Sequence, residues 1–164
     1  MSAKPGPIRI LAVDDHPLLR EGIAGLVAGQ SDMSLVAQAS NGREAIHQFR
    51  NHCPDITLMD LQMPEMNGVD AMIAIRGEFP EARIIVLATY TGDMQVLRAL
   101  KAGARACLLK NSLYKELLET IRAVHAGKKA LSAEASYQLA EHATDDALNP
   151  AEVRVLRLIA DGNA

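Results

Sequence analysis

Tryptophan is absent from this 164-residue chain, and its five aromatic residues, Phe49, Phe79, Tyr90, Tyr114 and Tyr137, are scattered along it. That excludes an aromatic platform for stacking bases or sugars. Cysteine is scarce: Cys53 and Cys107 lie far apart and form no C-x-x-C pair, so neither a disulfide framework nor a zinc cluster is encoded. Both read as small buried hydrophobes of a reduced protein. No run of about 18 apolar residues suits a membrane span, and no basic segment followed by an apolar one suits a secretory signal. The expected location is therefore cytoplasmic, with no membrane partner. Basic residues show no surplus either, since 17 Lys and Arg face 20 Asp and Glu for a formal net charge of −3. A nucleic acid would have to be met by a local patch or by another domain.

What is present is an ordinary globular composition, 49% apolar and 23% charged, with length for one domain of about 100 to 150 residues plus something short. The run Ile8-Arg9-Ile10-Leu11-Ala12-Val13 reads as a buried strand that stops at Asp14-Asp15-His16-Pro17. Pro17 suits a first helical turn, and Leu18, Leu19, Ile23, Leu26 and Val27 continue at helical spacing to about Gly29. The same alternation predicts strands at 34–39, 56–59, 83–88 and 106–109, with helices near 41–51, 67–77 and 92–102 between them. A fifth helix, capped by Asn111 or Ser112, carries Leu113, Leu117, Ile121 and Val124 on one face and stops at Gly127. Five strand–helix units predict an α/β fold: a doubly wound, five-stranded parallel sheet with five helices.

Residues 131–150 contain Glu134, Glu141, Asp145 and Asp146 but no Lys or Arg, which predicts a solvated, partly helical linker ending near Asn149-Pro150. Val153, Leu156, Ile159 and Ala160 then form a new apolar stripe. A lone helix of that length is marginal without a partner, so it is expected to open a second domain.

In an open parallel sheet, ligands bind beyond the carboxyl ends of the strands. Asp14 and Asp15 follow the first strand, Asp60 the third, Thr89 the fourth and Lys110 the fifth. Three converging carboxylates repel one another unless a cation sits among them. Mg²⁺, which uses one or two carboxylates and keeps waters or phosphate oxygens, suits such a group. Lys110 and the Thr89 hydroxyl would then bind oxygens of a phosphoryl group carried by one carboxylate, a known type of nucleophile.

The string Leu11-Ala12-Val13-Asp14-Asp15-His16-Pro17-Leu18-Leu19-Arg20-Glu21-Gly22 resembles the opening of response-regulator receiver domains, particularly the NarL/FixJ (LuxR-type) branch. Pro54-Asp55-Ile56-Thr57-Leu58-Met59-Asp60-Leu61-Gln62-Met63-Pro64, Asn67-Gly68 and Ala102-Gly103-Ala104-Arg105-Ala106-Cys107-Leu108-Leu109-Lys110 extend the match, which runs in order through about residues 8–130. The resemblance implies a flavodoxin-like receiver domain at 8–128, after a tail at 1–7. It implies that Asp60 is the phosphoacceptor, that Asp15, Asp60 and the backbone carbonyl of Gln62 bind Mg²⁺, and that Asp14 acts mainly through water. Lys110 would pair with Asp60 or its phosphate, and Thr89 would move onto the phosphoryl oxygen. A phosphohistidine on a sensor histidine kinase would be the donor, making the chain a phosphoacceptor switch, not an enzyme with a turnover substrate.

After a linker at 129–147, residues 148–164 resemble the first helix of a LuxR-type helix-turn-helix domain. The recognition helix would lie further on, so DNA would be bound by a full-length output domain and not by this stretch. A phosphorylation-dependent homodimer is a further expectation. Three positions depart from the family's usual pattern. Cys107 stands where receivers place Tyr or Phe, with Tyr90 beside Thr89 as the aromatic available to take over. Asn111 stands where many receivers have a cis proline, and Asn67-Gly68 replaces Asp-Gly at a position that suits a turn.

Two other classes share parts of this pattern. A phosphatase of the haloacid-dehalogenase type would need Asp-x-Asp after the first strand, which Asp14-Asp15-His16 does not supply. A pseudo-receiver acting only as a binding module would have lost an acid or the lysine, and all are present. The glycines make no G-x-G-x-x-G, no P-loop or G-x-S-x-G occurs, and His16, His47, His52, His125 and His142 show no paired metal spacing, most reading as exposed helix or loop positions.

Overall fold

Ile8–Val13 forms the first strand (β1), and its alternate side chains enter two different cores. The computed structural model describes residues 6–89, 94–128 and 130–131. Along the chain follow α1 (Pro17–Ala28), β2 (Met33–Ala39), α2 (Gly42–His52), β3 (Ile56–Asp60), α3 (Gly68–Glu78), β4 (Ile84–Ala88), α4 (Met94–Lys101), β5 (Ala106–Leu109), α5 (Leu113–His125) and β6 (Ala130–Leu131). All pair in parallel in the order β2-β1-β3-β4-β5-β6.

The doubly wound sheet with five strands and five helices is as the alternating pattern predicts. β6 adds a two-residue strand beside Ala106 and Cys107, within the stretch expected to be linker. The rest of the expected linker and the 148–164 segment lie outside the described residues.

The period of two in the strands decides which helix each residue meets. Leu11, Val13, Met59, Val86 and Cys107 face one core with Phe49, Val69, Met72, Ile75, Val96 and Leu97, from α2, α3 and α4. Ile10, Ala12, Leu58, Ile85, Leu87 and Leu108 face the other with Ile23, Val27, Leu113, Leu117, Ile121 and Val124, from α1 and α5. β3 and β4 are buried along their whole length, so a charged residue within them needs a reason.

Helix ends follow local chemistry. Asn41 and Asn67 accept the backbone N–H of Glu44 and Asp70, capping α2 and α3. Asn67, where the sequence predicts the start of a helix and a residue that suits a turn, is thus that helix's cap. Gly103, at φ +109, and Gly127, at φ +93, take the left-handed conformation that ends α4 and α5. Neither Asn111 nor Ser112 caps α5 with its side chain. Lys110–Ser112 is a 3₁₀ turn leading into the helix, and the Ser112 hydroxyl donates to Glu116 Oε2 at 2.9 Å. Cys107 is buried as expected, whereas Cys53 is exposed, because it is the left-handed residue (φ 43) at the end of α2.

Candidate functional site

β1 has β2 on one side and β3 on the other, so the winding of the chain changes direction between β1 and β3. The crevice at that switch point is where a parallel sheet offers a site. Asp14 and Asp15 leave the end of β1, and Asp60 is the last residue of β3. Asp14 is fully buried and Asp60 is 1% exposed, while Asp15 is half-buried. The strands that hold the core together thus carry two carboxylates out of water.

Lys110, just past β5, reaches across to both. Its Nζ lies 3.1 Å from Asp14 Oδ2 and 3.1 Å from Asp60 Oδ1. The Gln62 backbone N–H donates to Asp60 Oδ1 at 3.2 Å, so the peptide after β3 lies against the same carboxylate. Burial pushes the Asp60 carboxyl up to about 6, with Asp14 adding to the rise and Lys110 opposing it. Burial works against the Lys110 ammonium, yet Asp60 and Asp14 outweigh it and hold its pKa above the usual lysine range.

The compensation is incomplete. Three carboxylates meet one ammonium, and Asp60 Oδ2 and Asp15 Oδ1 are buried without a hydrogen-bond donor. Donor atoms of Asp14, Asp15, His16 and Asp60 all fall within 4.8 Å of one another. An excess of anionic oxygen with unused lone pairs fits a hard divalent cation.

The chain matches the response regulator receiver domain family over residues 10–122. It belongs to that family. The chain is 32% identical over 161 residues to the response regulator protein VraR of Staphylococcus saprophyticus, covering 95% of this chain and 77% of the relative. Among solved structures, a LuxR-family two-component response regulator from Aurantimonas is similar at 35% identity and a TM-score of 0.78, over 85% of this chain and 99% of that one. The receiver domain of a NarL-type regulator from Mycobacterium tuberculosis is similar at 30% identity and a TM-score of 0.71, over 76% of this chain and all of that one. The chain thus carries the receiver domain of a two-component response regulator, homologous to VraR and to LuxR-family regulators.

The receiver brings together Asp14, Asp15, Asp60, Lys110 and the Gln62 backbone. Thr89 stands apart: it follows β4 and is exposed. Among the described residues, the carboxylates are met by Lys110, His16 and the Gln62 backbone, not by the Thr89 hydroxyl. Tyr90, the aromatic available to take over from the missing one, lies outside the described residues. Cys107 sits under α4 in the core with Val86, Val96 and Leu97.

Three contributors were missed or undervalued in the sequence. His16 reads from the sequence as an exposed histidine, and its ring is largely exposed, yet Nδ1 lies 2.7 Å from Asp14 Oδ1 and 3.1 Å from Asp15 Oδ1. Its backbone N–H also donates to Asp14 Oδ1 at 2.8 Å. The signal was adjacency: an Asp two residues before a pre-proline residue readily folds into such a side-chain turn. Arg20, one turn into α1, donates Nη1 to the Asp14 carbonyl and Nε to Gln38 Oε1 at 3.2 Å, pinning the β1–α1 loop to β2. At Gly68 a Cβ would stand 2.1 Å from the Asp60 carbonyl oxygen. Only glycine lets α3 start this close to the end of β3.

Proposed function

We propose that this receiver is a phosphorylation-activated switch in which Asp60 accepts a phosphoryl group from the phosphohistidine of a sensor kinase. The observation that carries the reading is Asp60 itself. It is a buried carboxylate at the switch point, bridged by Lys110 to Asp14, with one oxygen left without a donor. An isolated buried acid there would be a liability; an acid awaiting a phosphoryl group and a cation is a functional arrangement.

In the transfer, an Asp60 carboxylate oxygen forms the bond to phosphorus as the P–N bond to the donor imidazole breaks in line, and the imidazole leaves with that electron pair. Lys110 is already placed to neutralise negative charge on either Asp60 or its phosphoryl oxygens. The Gln62 N–H fixes one Asp60 oxygen, so the carboxylate does not rotate freely. Asp15 and Asp60, with the Gln62 carbonyl and with Asp14 through water, are the residues that would hold Mg²⁺. Bound there, Mg²⁺ supplies charge neutralisation for the phosphoryl oxygens.

Phosphorylation adds about 1.5 to 2 negative charges to a group already rich in acid. Thr89, exposed at the end of β4, would then turn inward onto a phosphoryl oxygen and shift an existing equilibrium toward the active state. The active state would favour a homodimer and release a DNA-binding output domain that follows the receiver. A structure of Salmonella typhimurium RcsB described in terms of DNA interaction is similar at 25% identity and a TM-score of 0.75, over 96% of this chain and 79% of that one. The chain would act in the cytoplasm as an acceptor that later loses its phosphate by hydrolysis, not as an enzyme turning over a separate substrate.

The test is intact-protein mass after incubation with acetyl phosphate and Mg²⁺. Wild type gains one phosphoryl group, and Asp60→Asn, or wild type with EDTA, gains none. No gain by wild type would contradict the proposal and favour a receiver that acts only by binding a partner.

A further inference from the structure

We propose that His16 supplies an imidazole nitrogen to the metal site, so that the site accepts softer divalent ions such as Co²⁺ through a nitrogen ligand as well as Mg²⁺ through oxygen. The inference rests on the metal-dependent reading above and concerns a residue outside the acid set that reading uses.

The backbone holds His16 in place. It precedes Pro17, which disfavours helical conformation for it, and it takes φ −100 and ψ 107 as the last extended residue before α1. Its N–H is tied to Asp14 Oδ1 at 2.8 Å, which directs the ring back over the acids. The imidazole Nδ1 therefore lies beside the carboxylates of Asp14 and Asp15 although most of the ring's surface is in solvent.

The distances suit ligation. Metal–donor bonds of about 2.1 Å place adjacent ligands of an octahedron about 3.0 Å apart. His16 Nδ1 and Asp15 Oδ1 are 3.1 Å apart, and Asp15 Oδ1 is buried without a hydrogen-bond donor. The ring hydrogen bonds to Asp14 Oδ1 instead, at 2.7 Å. Two adjacent donor atoms with no bond between them form one edge of a coordination shell. For Nδ1 to ligate, the ring proton must sit on Nε2, which is the tautomer a metal selects. Oxygen-preferring Mg²⁺ gains little from this nitrogen, whereas Co²⁺ and Ni²⁺ gain more.

The experiment uses the full chain with CoCl₂ and MgCl₂, by calorimetry and proton NMR. Wild type with Co²⁺ shows a contact-shifted, solvent-exchangeable imidazole N–H resonance that His16→Gln lacks. His16→Gln and His16→Ala each bind Co²⁺ about tenfold more weakly while Mg²⁺ affinity stays within about twofold. Unchanged circular dichroism in both variants confirms that the fold is kept. Absence of the resonance in wild type would overturn the proposal, as would equal losses for Co²⁺ and Mg²⁺, which assign His16 to positioning Asp14. Co²⁺ binding that Asp60→Asn abolishes but His16 variants leave intact overturns this inference alone. No binding of either ion overturns it together with the metal-dependent reading.

Discussion

Replacing Asp60 with Asn is expected to stabilise the metal-free protein. Asp60 ordinarily titrates near 3.8, and burial together with Asp14 pushes it up to about 6. At about 1.4 kcal/mol per tenfold change in proton affinity, the folded state penalises the charged form by about 3 kcal/mol. That figure already includes the attraction of Lys110; the amide of Asn adds hydrogens to place that a protonated carboxyl lacks, so the expected net gain is about 2 kcal/mol. The sign with pH follows from linkage. Because the folded pKa is the higher one, the folded state binds more protons than the unfolded chain between about 4 and 6. Wild type therefore loses stability as pH rises through that window.

The comparison is urea unfolding of wild type and Asp60→Asn in EDTA, at pH 7.5 and at pH 4.5. The variant is more stable by about 2 kcal/mol at pH 7.5, and the difference closes as pH falls. Taking the difference between two proteins cancels the titration of groups remote from the site. A variant no more stable than wild type at pH 7.5, or a gap that widens on acidification, would refute the electrostatic account of the site.

Glycine substitutions test how the site is built. Gly68→Ala brings a methyl group to within 2.1 Å of the Asp60 carbonyl and is expected to cost about 2 kcal/mol or more by urea unfolding. Gly25→Ala and Gly77→Ala, also helical but with open space around the new atom, gain about 0.5 to 1 kcal/mol from helix propensity. Equal effects at all three would show that the close approach does not matter. Lys110→Met leaves the carboxylates without their ammonium, so EDTA-treated protein loses about 2 kcal/mol while Mg²⁺, measured by calorimetry, binds more tightly. Arg20→Gln frees the Asp14 carbonyl and is expected to weaken Mg²⁺ binding severalfold with little change in urea midpoint, since the Arg20 side chain grips the loop and not the core.

Much of this was legible because burial on both faces leaves long-lived marks in sequence. The runs Ile8–Val13 and Ile84–Ala88 can only be central strands, and a charged residue at the end of such a run is conspicuous. Asp60, Asp14 and Lys110 were found that way. What could not be read depends on geometry without periodicity. Ala130–Leu131 is too short to carry a pattern, and it pairs only because α5 returns the chain beside β5. His16 looked like a solvent residue because its exposure is real; its role follows from where a pre-proline turn aims the ring. Cys53 was expected inside because cysteine favours burial, but the left-handed end of α2 turns it out. Gly68 looked like turn chemistry and proved to be a matter of space.

The measurement that tests the central claim most directly is the position of the phosphate. After incubation with acetyl phosphate and Mg²⁺, borohydride reduces an aspartyl phosphate to homoserine, and peptide mapping by mass spectrometry locates the altered residue. The account predicts modification at position 60 alone, absent when EDTA is present. Modification at position 14 or 15, or a phosphate that survives reduction on a hydroxyl or histidine, would contradict it.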